Sequence, residues 1–373
     1  MKLGKINLLL LALLVAAMVM VAVVSAVDEQ HGVKTENSDP YHDPEIIAIL
    51  NTASSDERLS GNILNSVNSD TTKESEKKFL ETYVSPSKKI ITLMKAKKYS
   101  DTQITSLLDQ NGYGWDAKTG ASWKGTAPTA NEQKVIDLIR GPEYSPGWAS
   151  TQKSQSKTVI AGVKALNSAG ALMMINDQNT YFGVNTYMSP GPLPVSSTGT
   201  FQHVVTTHVG KPASSGEDWT EAGATMSVND PNPRYFTYDN DEGGWQFHGA
   251  AGTSQKNYQI YVSNTVESFS RNGVTVSGYV YNIWIDNSWV RSGHLLSRQT
   301  GINCANENWA QSGNSFSSES SHPTFQNGYL FKSSGYQLWG AYAGLQSNFN
   351  IWGSGQYTNA MSGGSYSFIS WVT

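Results

Sequence analysis

Cysteine is nearly absent from this sequence. Of its 373 residues only Cys304 is a cysteine, so no intrachain disulfide can form. The fold must therefore be held by its packed core, and we expect Cys304 to be a small buried residue of that core. A nucleophilic cysteine needs a positioned base, and no histidine or asparagine spacing in the sequence indicates one.

Strong net charge and several catalytic motifs are absent as well. The formal net charge is -4, which is too small to indicate a nucleic-acid partner. The sequence has no G-x-S-x-G elbow, no H-E-x-x-H and no phosphate-binding glycine loop, which argues against a serine hydrolase, a zinc peptidase or a nucleotide enzyme. The oxygen-rich stretch 239–243 has side chains that suit calcium, but it lacks EF-hand spacing, so a polar hairpin turn is expected there. We expect no metal and no cofactor.

One long apolar run is present, at the start of the chain. Lys2 and Lys5 precede the run 8–24, and Val24-Ser25-Ala26 places small residues where signal peptidase cleaves. The pattern predicts a signal peptide over residues 1–26, a secreted protein and no stable membrane association after cleavage. An uncleaved membrane anchor is the alternative, because the run just reaches the length needed to span a bilayer.

The composition changes near residue 150, and this predicts two regions. Residues 27–150 are rich in charge and carry helix-start signals, so they are predicted to form a small, mostly α-helical region. These signals are Asp43-Pro44, a capping box at Ser100 and Gln103, and a second box at Thr129 and Glu132. Residues 151–175 are predicted to be a linker and the start of the mature region.

Residues 176–373 are predicted to form an all-β domain, an antiparallel β-sandwich. Alternating runs over 258–266 and 274–286 flank Asn272-Gly273, a strong signal for a two-residue hairpin. A second turn is predicted at 286–288. Further strands are predicted at 201–209, 221–228, 234–238, 289–296, 329–331, 336–343 and 365–372.

Two glutamates stand out among the few carboxylates of the β region. Glu221 and Glu307 each lie in a stretch with strand character, and each has a tryptophan two positions away, Trp219 and Trp309. Residues two apart in a strand share a face, so each carboxyl group is predicted to lie beside an indole, which would desolvate it. The alternative is that both are ordinary surface glutamates beside packing or binding aromatics.

The segment that begins at Glu221 resembles the neprosin family of glutamic peptidases. Glu221-Ala222-Gly223, followed by Tyr235-Phe236-Thr237-Tyr238, matches the Glu-Ala-Gly-Trp and Leu-Phe-Thr-Tyr segments of that family. The family's second motif, Gly-Gly-Glu-Val, finds its best match at 303–309. The sequence departs from the family at Ala224, where the family has tryptophan, and at Ala305-Asn306, where it has two glycines. It also lacks the paired cysteines of plant members.

The resemblance implies a glutamic endopeptidase with Glu221 and Glu307 as its catalytic residues, and Glu319 as the alternative second glutamate. It also implies that the helical region is a propeptide, so that the enzyme is made as a latent precursor. Two carboxyl groups that face each other repel when both ionise, so one keeps its proton while the other activates water. Activity in acid follows from this arrangement.

Asn282, Trp284 and Asp286 share one strand face by alternation and are predicted to line a substrate groove, together with Trp219 and Trp309. The expected partner is a protein or peptide substrate, and we expect a monomer. Abundant tryptophan, tyrosine, asparagine and glycine suit sugars equally well. A non-catalytic carbohydrate- or surface-binding β-sandwich is therefore the alternative function, and a structural cell-envelope protein is a third.

Overall fold

Helices dominate the N-terminal part of the computed structural model. The structure describes residues 39–65, 73–139, 166–175, 177–197, 199–213, 216–311, 323–338, 346–353, 357–361 and 368–372. A 3₁₀ helix at Pro40–His42 is followed by α1 (Pro44–Asn65), α2 (Lys73–Thr82), α3 (Pro86–Ala96), α4 (Asp101–Gln110) and α5 (Ala130–Ile139). The predicted signal peptide and most of the predicted linker lie outside the described residues.

The predicted caps begin three of these helices. Asp43 Oδ1 accepts hydrogen bonds from the backbone N–H groups of Glu45 and Ile46 at 3.0 and 3.4 Å. Ser100 and Gln103 form the capping box of α4. The backbone N–H of Thr129 donates to Glu132 Oε2 at 2.6 Å. The side chains satisfy backbone donors that a helix start leaves free, so the three predictions are confirmed.

The β region forms the predicted antiparallel sandwich. Its strands, with two from the N-terminal region, are β1 (Tyr113–Trp115), β2 (Ser122–Lys124), β3 (Leu166–Ile175), β4 (Tyr181–Ser189), β5 (Thr200–Ala213), β6 (Gly216–Ser227), β7 (Asp230–Asp239), β8 (Gly244–Ala250), β9 (Lys256–Arg271), β10 (Val274–Ile285), β11 (Ser288–Leu295), β12 (Gly301–Gln311), β13 (Thr324–Lys332), β14 (Gly335–Leu338), β15 (Gln346–Gly353), β16 (Tyr357–Met361) and β17 (Phe368–Val372).

The strands belong to two sheets. Sheet A has the order β1-β2-β11-β10-β9-β4-β13-β17-β16, with β14 paired to β13, and sheet B has the order β15-β3-β12-β5-β6-β7-β8. The predicted hairpin turn joins β9 to β10, and Asn272 and Gly273 both have positive φ, 52° and 79°. Positive φ at both turn positions matches the right-handed twist of the flanking strands.

The core lies between the inner faces of the sheets. Ile260, Tyr281 and Ile283 of sheet A are buried in one cluster with Ile302 and Cys304 of sheet B. Burial raises the pKa of the Cys304 thiol to about 12. Cys304 is therefore the buried core residue that the sequence predicts, and it is not a reactive thiolate.

The described N-terminal region is part of the same compact unit as the sandwich, which extends from Pro40 to the C-terminus. Its strand β2 pairs with β11 and extends sheet A. Residues 166–175 form β3 between β12 and β15. They belong to 151–175, which the sequence predicts to be a linker and the start of the mature region. The composition changes near residue 150. Strands β1 and β2 precede this point in the chain, yet they belong to sheet A together with strands that follow it.

Helices cover the outer face of sheet A. The Tyr261 hydroxyl donates to Glu81 Oε1 at 2.8 Å, and the Ser87 hydroxyl donates to Ser122 Oγ at 2.9 Å. The ring centroids of Tyr83 and Trp284 are 5.2 Å apart. Within the described ranges, no helix is both long enough and apolar enough to cross a membrane.

Candidate active site

Glu221 lies on the outer face of sheet B. Strand alternation turns its neighbours Ala222 and Ala224 into the core, and turns Glu221 away from sheet A. Its carboxyl group is nonetheless fully buried. The Thr206 hydroxyl donates to Glu221 Oε2 at 2.9 Å, and His208 Nε2 lies 2.8 Å from the same oxygen. A buried carboxylate is stable only when it is paired and hydrogen-bonded, and this one is.

The strand register places three polar side chains in one row across three adjacent strands. Asn303 of β12 is opposite His208 of β5, and His208 is opposite Glu221 of β6. Directly opposite residues of antiparallel strands share a face. His208 Nδ1 is hydrogen-bonded to Asn303 Oδ1. We call this row, Glu221–His208–Asn303, the polar row.

Gly223 explains why glycine follows Glu221-Ala222 in the motif. A Cβ atom at this position would lie 2.1 Å from the carbonyl oxygen of Val205 and 2.8 Å from Thr206 Cα. Only glycine allows β5 and β6 to approach this closely. The close approach also brings Thr206 within reach of Glu221.

Aromatic rings line one end of the polar row. The centroid of Trp219 is 5.4 Å from that of His208 and 5.0 Å from that of Tyr238. Trp245 stacks on Phe236 at 4.1 Å. Trp219 therefore lies on the same face as Glu221, as predicted from their spacing, and it adjoins the row through His208. An apolar wall of this kind excludes water and strengthens charge interactions inside it.

Glu307 and Trp309 share the outer face but not the polar row. Glu307 is opposite Val204, four positions along the strands from the Asn303–His208 pair and two strands from Glu221. That register corresponds to about 17 Å between the two Cα atoms. The expected contact between Glu221 and Glu307 is not formed.

Trp309 is a packing residue. It belongs to a buried cluster with Val204, Phe247 and two residues of α5, Val135 and Ile136. It contacts this helix in the structure, and its role in substrate binding stays a prediction. The fallback glutamate, Glu319, lies outside the described residues.

Asn282 and Trp284 lie on the other sheet. Tyr281 and Ile283 of β10 face sheet B. Asn282 and Trp284 alternate with them along the strand, so they face outward from sheet A. Ser292 donates to Asn282 Oδ1 at 2.6 Å, and Trp284 contacts Tyr83 of the helical region. The two residues do share a face, as alternation predicts. They cannot line a groove with Glu221, because the sandwich separates them, and this prediction is wrong.

The helix α5 lies over the same outer face of sheet B as the polar row. Glu132 forms an ion pair with Arg234, while Val135 and Ile136 contribute to the apolar cluster described above. Thr126, just before the helix, exchanges two backbone hydrogen bonds of 2.9 Å with Phe247 of β8. Part of the N-terminal region therefore occupies the face that carries Glu221.

A buried charge network, which was not foreseen from sequence, connects the two sheets at the β7–β8 turn. Asp239 Oδ2 accepts from the Tyr281 hydroxyl at 2.6 Å, and Arg271 pairs with both Asp218 and Asp241. Burial raises the pKa of Asp218 to about 8 and that of Asp241 to about 6. The turn is the polar hairpin turn expected at 239–243.

His294 continues the network toward the helical region. Burial disfavours its charge, but the carboxylates of Glu242 and Glu267 raise its pKa to about 9. Glu267 is also buried, yet His294 and Lys88 lower its pKa to about 2. These carboxylates are thus paired with cationic side chains. Among the described residues, no group of three or more His, Cys, Asp or Glu side chains is arranged to hold a metal ion.

The solved structures described here are distant likenesses of this chain. No family model and no curated protein matches the chain. Among solved structures, scytalidoglutamic peptidase with a peptide-based transition-state analog is similar at 8% identity and a TM-score of 0.36, over 56% of this chain and 98% of that one. SCP-B, a member of the Eqolisin family of peptidases in complex with the tripeptide Ala-Ile-His, is similar at 10% identity and a TM-score of 0.33, over the same shares.

The β-porphyranase BpGH16B from the human gut bacterium Bacteroides plebeius is similar at 9% identity and a TM-score of 0.19, over 43% of this chain and 72% of that one. Likenesses this weak carry no argument about activity. The proposal below depends on the site itself.

Proposed function

We propose that this chain is a secreted glutamic endopeptidase, made as a latent precursor, in which Glu221 activates the water that attacks a peptide bond. One observation carries the proposal. Glu221 is a fully buried carboxyl group, held by Thr206 and His208 beside an aromatic wall. Fixed, desolvated carboxyl groups are the kind that act as general bases.

The match of Glu221-Ala222-Gly223 to the neprosin motif supports the same residue independently of the geometry. The strand register of β5 and β6 explains both the glutamate and the glycine of this motif. Glu221 belongs to the polar row, and Gly223 allows the close approach of β5.

Latency is proposed because α5 lies on the face that carries Glu221. Release of the N-terminal region would uncover this face. Residues 149–158, Ala-Ser-Thr-Gln-Lys-Ser-Gln-Ser-Lys-Thr, have the composition of an exposed linker. Cleavage there is the route that the sequence favours.

Action in acid remains part of the proposal. It was expected from two carboxyl groups sharing one proton, and Glu307 is too far from Glu221 to do so. The pH dependence of cleavage is therefore measured directly in the test below.

The test is cleavage of a denatured protein by the wild type and by Glu221→Gln across acid pH, after trace proteolysis has removed the N-terminal region. We expect cleavage by the wild type and none by the variant. Equal cleavage by both would reject Glu221 as the acting residue.

A ligand-binding function is the second candidate, and the outer face of sheet A favours it. Asn282 Nδ2, Trp284 Nε1 and both side-chain polar atoms of Gln259 are buried there without a hydrogen-bond partner. Neutral amides beside an indole suit the hydroxyl groups of a carbohydrate. Binding of neutral oligosaccharides to the proteolysed protein, lost in Trp284→Leu, would support this function. No binding would leave the face as a packing surface for the helices.

A further inference from the structure

A glutamate of the helical region is held by a set of hydrogen-bond donors on the outer face of sheet A. We infer that these donors, from Tyr261, Asn264 and Arg298, form a carboxylate-binding site that Glu81 fills in the full chain and that takes an acidic side chain of another polypeptide once Glu81 leaves. We call this site the socket. Access for such a ligand rests on the proposed release of the N-terminal region. The socket is separate from Glu221, which lies on the other sheet.

The socket satisfies both oxygens of the Glu81 carboxylate. The Tyr261 hydroxyl donates to Oε1 at 2.8 Å, and the Arg298 guanidinium donates to the same oxygen. The backbone N–H of Asn264 donates to Oε2 at 2.6 Å. The side chain of Glu81 is only 16% exposed. Two neutral donors and one cation, largely shielded from water, suit a carboxylate. A neutral amide could not use all three, because its nitrogen is itself a donor.

All three donors belong to the sandwich, and contacts within the sandwich hold them in place. Arg298 Nε donates to the carbonyl oxygen of Val262 at 3.3 Å, and the guanidinium carbon lies 3.8 Å from the ring centroid of Phe182. Tyr261 is buried and packs edge-on against Phe182, with 5.5 Å between ring centroids. A stacked guanidinium is preorganised for a carboxylate. The helical region supplies only the acceptor, so its departure would remove the carboxylate and leave the donors positioned.

An irregularity in β9 makes the backbone donor available. The register of β9 on β10 shifts near Val280, where residues 263–265 of β9 oppose that residue alone. Extra residues of this kind interrupt the ladder and leave backbone groups unpaired with the neighbouring strand. The N–H of Asn264 lies in this segment, and its partner is Glu81. The sequence of β9 therefore gives up ladder hydrogen bonds at the point where the carboxylate is bound.

The present occupant indicates the class of ligand. Glu81 belongs to α2, so the socket already holds an acidic side chain carried by a polypeptide. Tyr261 is directly opposite Asn282 of β10, and Asn282 Nδ2 is buried without a partner among the described residues. An amide donor beside the socket suits a backbone carbonyl oxygen of the same ligand. An acidic peptide therefore matches both groups, whereas a small inorganic anion would use the socket alone.

Glu81→Ala in the full chain vacates the socket without removal of the helical region. The atoms removed correspond to acetate, so acetate is the probe. At about tenfold excess over its Kd, acetate should raise the Tm of this variant by about 2–4 °C relative to equal sodium chloride. Acetamide, the neutral isostere, should have no such effect. Equal Tm values in acetate, acetamide and chloride would overturn the carboxylate site.

Three variants show whether acetate acts at the socket. Glu81→Gln fills the socket with a neutral side chain and should not respond. Asp56→Ala removes a carboxylate whose partner, Lys89, also belongs to the helical region, and it should not respond either. Arg298→Gln in the Glu81→Ala background should lose the response. A response of full size in any of these would overturn the site, and the first two decide this even if the double variant does not fold.

The ligand class is tested by fluorescence anisotropy with a labelled peptide of residues 73–82 and full-length Glu81→Ala protein. We expect this peptide to bind at least about tenfold more tightly than a peptide with Glu81→Gln, which lacks the charge-assisted hydrogen bonds. The wild-type protein should bind more weakly, because its own Glu81 competes at a high effective concentration. Equal affinity for the two peptides would overturn the polypeptide ligand. Tighter binding of glucuronate than of the peptide would overturn it in favour of an acidic sugar.

None of these measurements uses cleavage of a peptide bond, so they separate this inference from the proposed function. No acetate response together with cleavage that depends on Glu221 would reject the socket alone. A specific acetate response in a protein that cleaves nothing after removal of the N-terminal region would reject the peptidase alone.

Discussion

The two outer faces of the sandwich use polar residues differently. On sheet B, Glu221 and His208 form a buried contact of 2.8 Å that Asn303 extends by a hydrogen bond. On sheet A, Asn282 and Gln259 are neutral amides, and several of their polar atoms are buried without partners. On the sheet B face the polar side chains bond to one another. On the sheet A face the unpartnered polar atoms are directed at the helical region or at a ligand.

The difference teaches where a change in side chain matters. Removing one member of a buried charged pair leaves the other uncompensated in a low-dielectric site. Removing a neutral amide that is already short of partners also removes an unsatisfied donor. Similar burial on the two faces should therefore give very different responses to substitution.

His208→Leu should show the largest effect, on the sheet B face. It leaves the Glu221 carboxyl group buried without its histidine partner, and the expected loss of unfolding free energy is about 3–5 kcal/mol. Urea denaturation measures this loss. The double variant His208→Leu/Glu221→Leu should recover much of it, since no charge remains buried. A single variant as stable as the wild type would show that the contact does not stabilise the fold.

Glu76 should show the next effect, where α2 lies against β14 on the sheet A side. Burial raises the pKa of Glu76 to about 7, although a hydrogen bond with Tyr336 opposes this. The folded protein therefore binds the proton more tightly than the unfolded chain. The stability that this provides is complete below about pH 4.5 and is lost as the pH rises through about 7, for a total of ~3 kcal/mol.

Glu76→Gln imitates the protonated side chain. It should match the wild type in urea denaturation near pH 4 and exceed it in stability near pH 8. Asp218 and Glu242, whose pKa values burial also raises, are present in both proteins and act as internal controls. Parallel pH curves for the two proteins would show that Glu76 is not the titrating group. Because protonation of Glu76 stabilises the folded protein, acid strengthens the contact between α2 and β14. Acid alone should therefore not detach the helical region at this contact.

Asn282→Leu should show the smallest effect. It loses the hydrogen bond from Ser292, worth about 1 kcal/mol, and removes the unpartnered Nδ2, which offsets the loss. A change within about 1 kcal/mol in urea denaturation is expected. A loss near that of His208→Leu would erase the contrast between the two faces.

Local signals in the sequence predicted much of the fold. The caps at Asp43, Ser100 and Thr129 and the hairpin at Asn272-Gly273 depend on residues within a few positions of one another. Strand β4 was not predicted, because six of its nine residues, Tyr181 to Thr186, are all buried and show no alternation of apolar and polar side chains. Strand β3 was not predicted as a strand, because residues 151–175 were interpreted together as a linker and the start of the mature region.

The site was predictable only in part, for a related reason. Alternation correctly placed Trp219 with Glu221, and Asn282 with Trp284, because it is a property of one strand. It could not assign β6 and β10 to different sheets, since sheet membership depends on pairing between distant segments. The register of β12 on β5 likewise places Asn303, and not Glu307, opposite His208. No spacing within residues 301–311 contains that information.

The central claim is that Glu221 acts without Glu307, and a matched pair of variants tests it most directly. Glu221→Gln and Glu307→Gln each replace one buried glutamate on the same face of sheet B with its neutral isostere. Cleavage of a denatured protein is measured for both and for the wild type after removal of the N-terminal region. We predict that Glu221→Gln abolishes cleavage and that Glu307→Gln keeps kcat within about threefold of the wild type. Equal loss of activity in the two variants would contradict the account and restore the pair of glutamates.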